Sequence, residues 1–167
     1  MIFVLVFLIM MSAYFSATET AFSTMNKIKV KNLAAGGNSR AKLALELADD
    51  FDTMISTILI GNNIVNIASS SIATAIFIKM MGDKGVSVAT AIMTVVVLIF
   101  GEISPKSMAK ESPESFAMFS APLLKAFTVV LTPVNYIFKL WKNLLSKIFK
   151  SSDDSGITEE ELITFVE

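Results

Sequence analysis

Three short stretches hold the side chains that could do chemistry. The first is Ser12, Ser16, Glu19 and Ser23, which recur at i, i+4, i+7 and i+11 and make one narrow polar stripe on a helix. The second is Gly61-Asn62-Asn63-Ile64-Val65-Asn66, in which Asn62 and Asn66 share one face while Asn63, Asn66 and Ser70 share the adjacent one. The third is Gly101-Glu102-Ile103-Ser104-Pro105-Lys106, where a carboxylate directly follows the apolar run Val95 to Phe100. Pro105 has no amide hydrogen, so a carbonyl one turn earlier lacks its helical donor, and Gly101 lets another group come close to the backbone. A carboxylate beside such a turn has the makings of a cation site in a membrane helix.

The chain has no cysteine and no histidine. Disulfides, thiolate chemistry, haem ligation by His and zinc sites of Cys or His are therefore excluded. Oxygen donors remain, and these suit hard cations such as Mg2+, Ca2+ or Na+ over zinc or copper. One carboxylate among neutral oxygens suits a small cation that must bind and then leave. Each stretch also has a plainer reading. Glu102 can mark where a membrane helix surfaces, with Lys106 as its i+4 neighbour. The asparagines can bond between helices, and the serines can bond back to their own helix carbonyls. A hydrolase needs a nucleophile with a base, and here only a Ser–Lys pair or the carboxylates Glu19 and Glu102 are open, so the chain reads as no enzyme. Fourteen basic and fifteen acidic residues give a net charge of -1, which offers no argument for nucleic acid.

These residues need elements to position them. With 53% hydrophobic and 17% charged residues and a mean hydropathy of +0.64, the chain is too apolar for an ordinary soluble domain. The expected fold class is an all-α membrane protein with three transmembrane helices and a juxtamembrane or re-entrant belt. Spans are expected over about 2–24, 53–80 and 86–108, each long enough for the roughly 30 Å hydrocarbon core. The first is a span and not a leader, since it lacks a basic start and a cleavage site. Between spans one and two, Lys27, Lys29, Lys31, Arg40 and Lys42 surround the Gly36-Gly37-Asn38 break, which predicts two short amphipathic helices on the cytoplasmic side. The Met81 to Gly85 turn forces span three to run back. The N-terminus is then outside and the C-terminus inside the cell membrane. Residues 114–149 are expected to form the belt helix, anchored by Trp141 and by Lys139, Lys142, Lys147 and Lys150, with a fourth span as the alternative. Residues 151–156 read as a linker, and Thr158 with Glu161 as the capping box of an acidic helix leading towards a cytoplasmic domain.

Ser16-Ala17-Thr18-Glu19-Thr20-Ala21, Gly61-Asn62-Asn63 and Gly101-Glu102-Ile103-Ser104-Pro105-Lys106 together resemble the membrane domain of the CorC/cyclin M (CNNM) magnesium transporters over about residues 1–150. The resemblance implies a homodimer in membrane lipid that exports Mg2+, with Na+ as coupling ion, by alternating access. It also implies a cytoplasmic nucleotide-binding CBS pair in the full-length protein. By the same resemblance Ser16, Asn63 and Glu102 match the family's metal-coordinating serine, asparagine and glutamate. Gly61 and Gly101 sit where backbone oxygens could join them, and Asn62, Asn66, Ser12, Ser23 and Glu19 are further candidates. Two other classes stay open: a membrane anchor for a cytoplasmic regulatory domain, and a passive divalent-cation channel. The residues alone leave Mg2+, Mn2+ and Co2+ equally suited to such a cage.

Overall fold

The computed structural model describes residues 1–149; the expected linker and acidic helix start of 151–167 lie outside the described residues. The described chain is all-helical. It runs α1 (Ile2–Thr24), α2 (Lys27–Ala35), α3 (Ser39–Asp49) and α4 (Phe51–Met81), then a tight turn (Gly82–Lys84) and α5 (Gly85–Val96). A π-helical segment (Val97–Ile103) joins α5 without a break to α6 (Ser104–Glu111), and α7 (Pro113–Val130) and α8 (Thr132–Phe149) follow. Met1–Leu131 forms one compact unit and the chain from Thr132 belongs to a second.

Local chemistry sets the boundaries. Asn26 accepts the amides of Ile28 and Lys29 at 3.0 and 3.2 Å and starts α2, and Asn38 does the same for Arg40 and Ala41 at 3.0 and 3.1 Å. Both satisfy amides that a helix N-terminus leaves without partners. Gly37, with φ of 91°, makes the reversal between α2 and α3. Across that loop the Asn26 amide donates to Glu114 at 3.1 Å and, with Lys29 nearby, holds the Glu114 carboxyl below its ordinary value. Lys125 pairs with Glu46, so α7 is tied to both loop helices.

Two stretches, Ile2–Thr24 and Phe51–Glu111, are long and apolar enough to cross a membrane, with mean hydropathies of 1.9 and 2.2. A third exists if Pro113–Val130 and Thr132–Phe138 count as one interrupted span. The 61-residue stretch doubles back at Gly82, whose φ is 62°. There Gly85 lies against the backbone of Phe77, inside the distance any Cβ would need. The leg after the turn therefore runs antiparallel to α4.

The core is the second half of α1. Phe15, Ser16, Ala17, Thr18 and Ala21 are almost wholly buried, whereas Phe3 is 91% exposed. α4, the π-helical segment, α6 and α7 surround this half. The Phe15 ring fills the space that a side chain at Gly61 would take. It also packs on Phe127 with ring centroids 5.1 Å apart, and the Tyr14 hydroxyl donates to the Ser120 carbonyl at 2.8 Å. α1 and α7 are thus joined by aromatic packing and one buried hydrogen bond.

The single belt helix expected over 114–149 is instead two helices. Pro133 has no amide with which to continue the ladder, so α7 ends at Val130, with Leu131 as its cap, and α8 starts afresh at Thr132. Pro122, by contrast, sits inside α7 without ending it. α8 exposes Tyr136, Ile137, Phe138, Leu140, Trp141 and Leu144.

The Phe15–Gly61 contact is directly testable. Gly61→Ala places a methyl group where the ring now lies, and such overpacking costs about 1–3 kcal/mol. The melting temperature in detergent should fall, and Phe15→Leu added to the same chain should recover part of the loss. A Gly61→Ala protein that melts like wild type would show that the ring simply turns aside.

Candidate functional site

Three helices meet at Ser12, near the middle of α1. Its hydroxyl donates to Asn62 Oδ1 at 3.1 Å, and Asn66 Nδ2 donates to the same oxygen at 3.4 Å. On the other side, Ser12 Oγ lies 2.9 Å from where a Cβ at Gly101 would stand. Glycine at 101 is what lets the third leg approach so closely. Because Ser12 meets Gly101 and Glu19 meets Lys106, α1 and this third leg run parallel, and Ser16 lies on the same face between those two contacts.

The hydroxyls of α1 divide into two kinds. Thr18, Thr20 and Thr24 donate to carbonyls of their own helix, at 2.6, 3.2 and 2.7 Å. Ser12 instead reaches across to α4, and Ser16 Oγ is buried with no hydrogen-bond partner. Asn66 Oδ1 is likewise buried and without a partner. A buried polar atom left unsatisfied costs about 1–3 kcal/mol, so two such oxygens close to one cluster call for an explanation. Asn66 also lines a cavity of about 320 Å3 between α4 and α5, together with Ser70, Thr74, Thr90 and Thr94.

The third leg stays helical through Gly101 and Pro105, as the span expected over about 86–108 requires. There the helix widens. The Ser104 amide bonds to the Ile99 carbonyl, a five-residue step, and the missing Pro105 amide falls where the helix returns to α geometry. One wider turn accommodates the proline within a continuous helix, a feature often found at functional sites. Glu102 sits in this segment, half-buried, and among the described residues it has no ion-pair partner. Lys106 is not its partner: the ammonium lies 3.2 Å from Glu19 Oε2.

The structure brings Ser12, Asn62, Asn66 and Gly101 together, with Ser16 one helical turn from Ser12. It does not bring the rest to them. Asn63 is exposed, and its amide donates to the Leu59 carbonyl of its own helix at 2.9 Å. Ser23 is exposed at the end of the stripe, and Gly61 faces the Phe15 ring. Among the described residues no three of His, Cys, Asp and Glu gather as a metal-binding group. The donor set is thus neutral hydroxyl and amide oxygens, with Glu102 next to Gly101 in sequence, and such oxygens suit a hard cation that keeps part of its water. The Glu19–Lys106 pair was missed from sequence, although the expected topology, with spans one and three running the same way, sets the two residues at similar depth.

Residues 3–167 match the profile of the cyclin M transmembrane N-terminal domain. A UPF0053 protein of Haemophilus influenzae is 37% identical over 98% of this chain and 40% of its own length. The inner membrane protein YfjD of Escherichia coli K12, of the same UPF0053 group, is 36% identical over 93% of this chain and 37% of its own. A polyamine export protein of Escherichia coli K12 is 26% identical over 99% of this chain and 40% of its own. The chain therefore spans about 40% of the length of these curated relatives.

Ser12→Ala removes the donor to Asn62 while leaving the helix packing intact. Hydrogen bonds between membrane helices are worth about 0.6 kcal/mol on average, so the protein should melt slightly earlier. Asn62→Ala in the Ser12→Ala chain should cost less than Asn62→Ala alone; equal costs would mean that the two side chains are not coupled.

Proposed function

We propose that this chain, which belongs to the cyclin M transmembrane-domain family, is the ion-carrying membrane portion of a Mg2+ exporter coupled to Na+. The observation that carries the reading is the pair of buried, unpartnered oxygens on Ser16 and Asn66, beside the Ser12–Asn62 bond and the Glu102 segment. A membrane anchor has no use for such groups, whose burial costs stability and whose oxygens suit a cation. In this reading α1, α4 and the α5–α6 leg each cross the membrane, with the N-terminus outside, while α7 and α8 form the belt. Two copies form the transporter, and the remainder of the longer protein supplies the cytoplasmic CBS pair. Alternating access exposes the cluster first to one side and then to the other, with the wider π-helical turn as the place where the third leg can shift. Mg2+ gives up part of its tightly held water on entering the cluster, and that cost is where selectivity arises.

The polyamine export protein among the relatives supports a second cargo, an organic polycation. A polyamine carries several separated ammonium groups and would be met best by several carboxylates. Among the described residues the side chains that meet in the cluster are neutral, and Glu102, next to Gly101 in sequence, is a single carboxylate, which favours the small inorganic ion.

The test uses the full-length protein in Na+-free detergent solution, with the Mg2+-dependent rise in melting temperature as readout. Ser16→Ala deletes an unsatisfied buried hydroxyl, so without Mg2+ the variant should melt no lower than wild type, yet its Mg2+ shift should shrink. Glu102→Gln should lose the shift. Unchanged shifts in both variants would make the cluster purely structural. Spermidine in place of Mg2+ separates the two cargoes, and Asn63→Ala separates the residue matched by resemblance from those brought together in the fold. A diminished shift there means that Asn63 turns inward when the cation binds.

A further inference from the structure

Lys106 has no part in the transport reading above, and the inference drawn from its position rests on that reading. The ammonium lies 3.2 Å from Glu19 Oε2 on α1. Glu102 stands four residues earlier on the same helical leg as Lys106, a spacing that makes two side chains neighbours on a helix surface. The four-carbon lysine stem therefore reaches either carboxylate without any movement of the backbone. Glu102, paired with nothing among the described residues, is the half-buried carboxylate closest in sequence to the Gly101–Ser12 contact. Two carboxylates share one ammonium, so whichever pair forms, one negative charge stays uncovered. A bare carboxylate within a membrane is costly.

We propose that Lys106 is a tethered counter-cation that exchanges between Glu19 and Glu102. Paired with Glu19, as here, it leaves Glu102 open to the transported ion. Paired with Glu102, it displaces that ion and covers the carboxylate while the carrier returns empty. The ammonium and the ion compete for one carboxylate, which links release of the ion to a defined charge state of the empty site. Glu19 then acts as a positioning residue that holds Lys106 aside, and it is not itself a ligand.

The decisive measurement is Mg2+ affinity of the full-length protein, by calorimetry in Na+-free buffer, for wild type, Glu19→Gln, Lys106→Gln and the double variant. Apparent affinity is the intrinsic affinity multiplied by the fraction of molecules in which Glu102 is free. If Glu19→Gln leaves Lys106 on Glu102 in about nine molecules of ten, binding weakens about tenfold. Lys106→Gln should bind at least as tightly as wild type but transport more slowly in proteoliposomes, and the double variant should regain the Lys106→Gln affinity. A double variant that stays weak would make Glu19 a direct ligand and overturn the proposal, as would a Glu19→Gln protein that binds normally. If wild type binds no Mg2+, the transport reading fails on its own, and the exchange is then judged by melting in cation-free buffer. Glu102→Gln should cost more stability in the Glu19→Gln background than in wild type, and equal costs would overturn it.

Discussion

The closeness of α4 and the π-helical segment to the second half of α1 is the constraint on which the rest of the compact unit depends. In lipid there is no hydrophobic gain from pressing one apolar helix on another, so association rests on van der Waals packing and hydrogen bonds. Two glycines make the approach possible: Gly61 gives its side-chain space to the Phe15 ring, and Gly101 gives its to Ser12. The first contact is apolar and seats α1 against α4. The second is polar and brings the third leg to the same level as Asn62.

That closeness has an energetic consequence. Groups that might have found water or a helix carbonyl are enclosed, and Ser16 and Asn66 keep oxygens without partners. The threonines of α1 avoid the cost by bonding back to their own helix, which shows that local satisfaction was available to this sequence. Leaving two oxygens unsatisfied near a cluster of amides lowers stability at that place. The π-helical turn, which holds Glu102, lets the helix continue through Pro105.

Charge is arranged around the cluster with a different economy. Lys125–Glu46 and Lys29–Glu114 hold the loop helices to α7 at exposed positions, where such pairs contribute little stability each. Glu19 and Lys106 join α1 to α6 about two turns along α1 from Ser12. Their pairing leaves Glu102 without an ion-pair partner among the described residues, which is the electrostatic condition a cation site needs.

Sequence alone determined the helical class, the apolar stretches, the two loop helices and the tight turn at Gly82. Each depends on local composition, capping or periodicity, which neighbours along the chain specify. It also singled out the polar residues, because asparagines and a glutamate are conspicuous in apolar surroundings whatever they touch. Which of them meet was decided only by tertiary structure. Helix rotation is set by packing at Phe15–Gly61 and Ser12–Gly101, and that rotation turned Asn62 and Asn66 towards α1 but left Asn63 exposed. The same holds for Lys106, whose neighbour along the helix is Glu102 but whose partner is Glu19. Periodicity gives the angle between residues on one helix, and only contact with a second helix gives the direction in which that angle is measured.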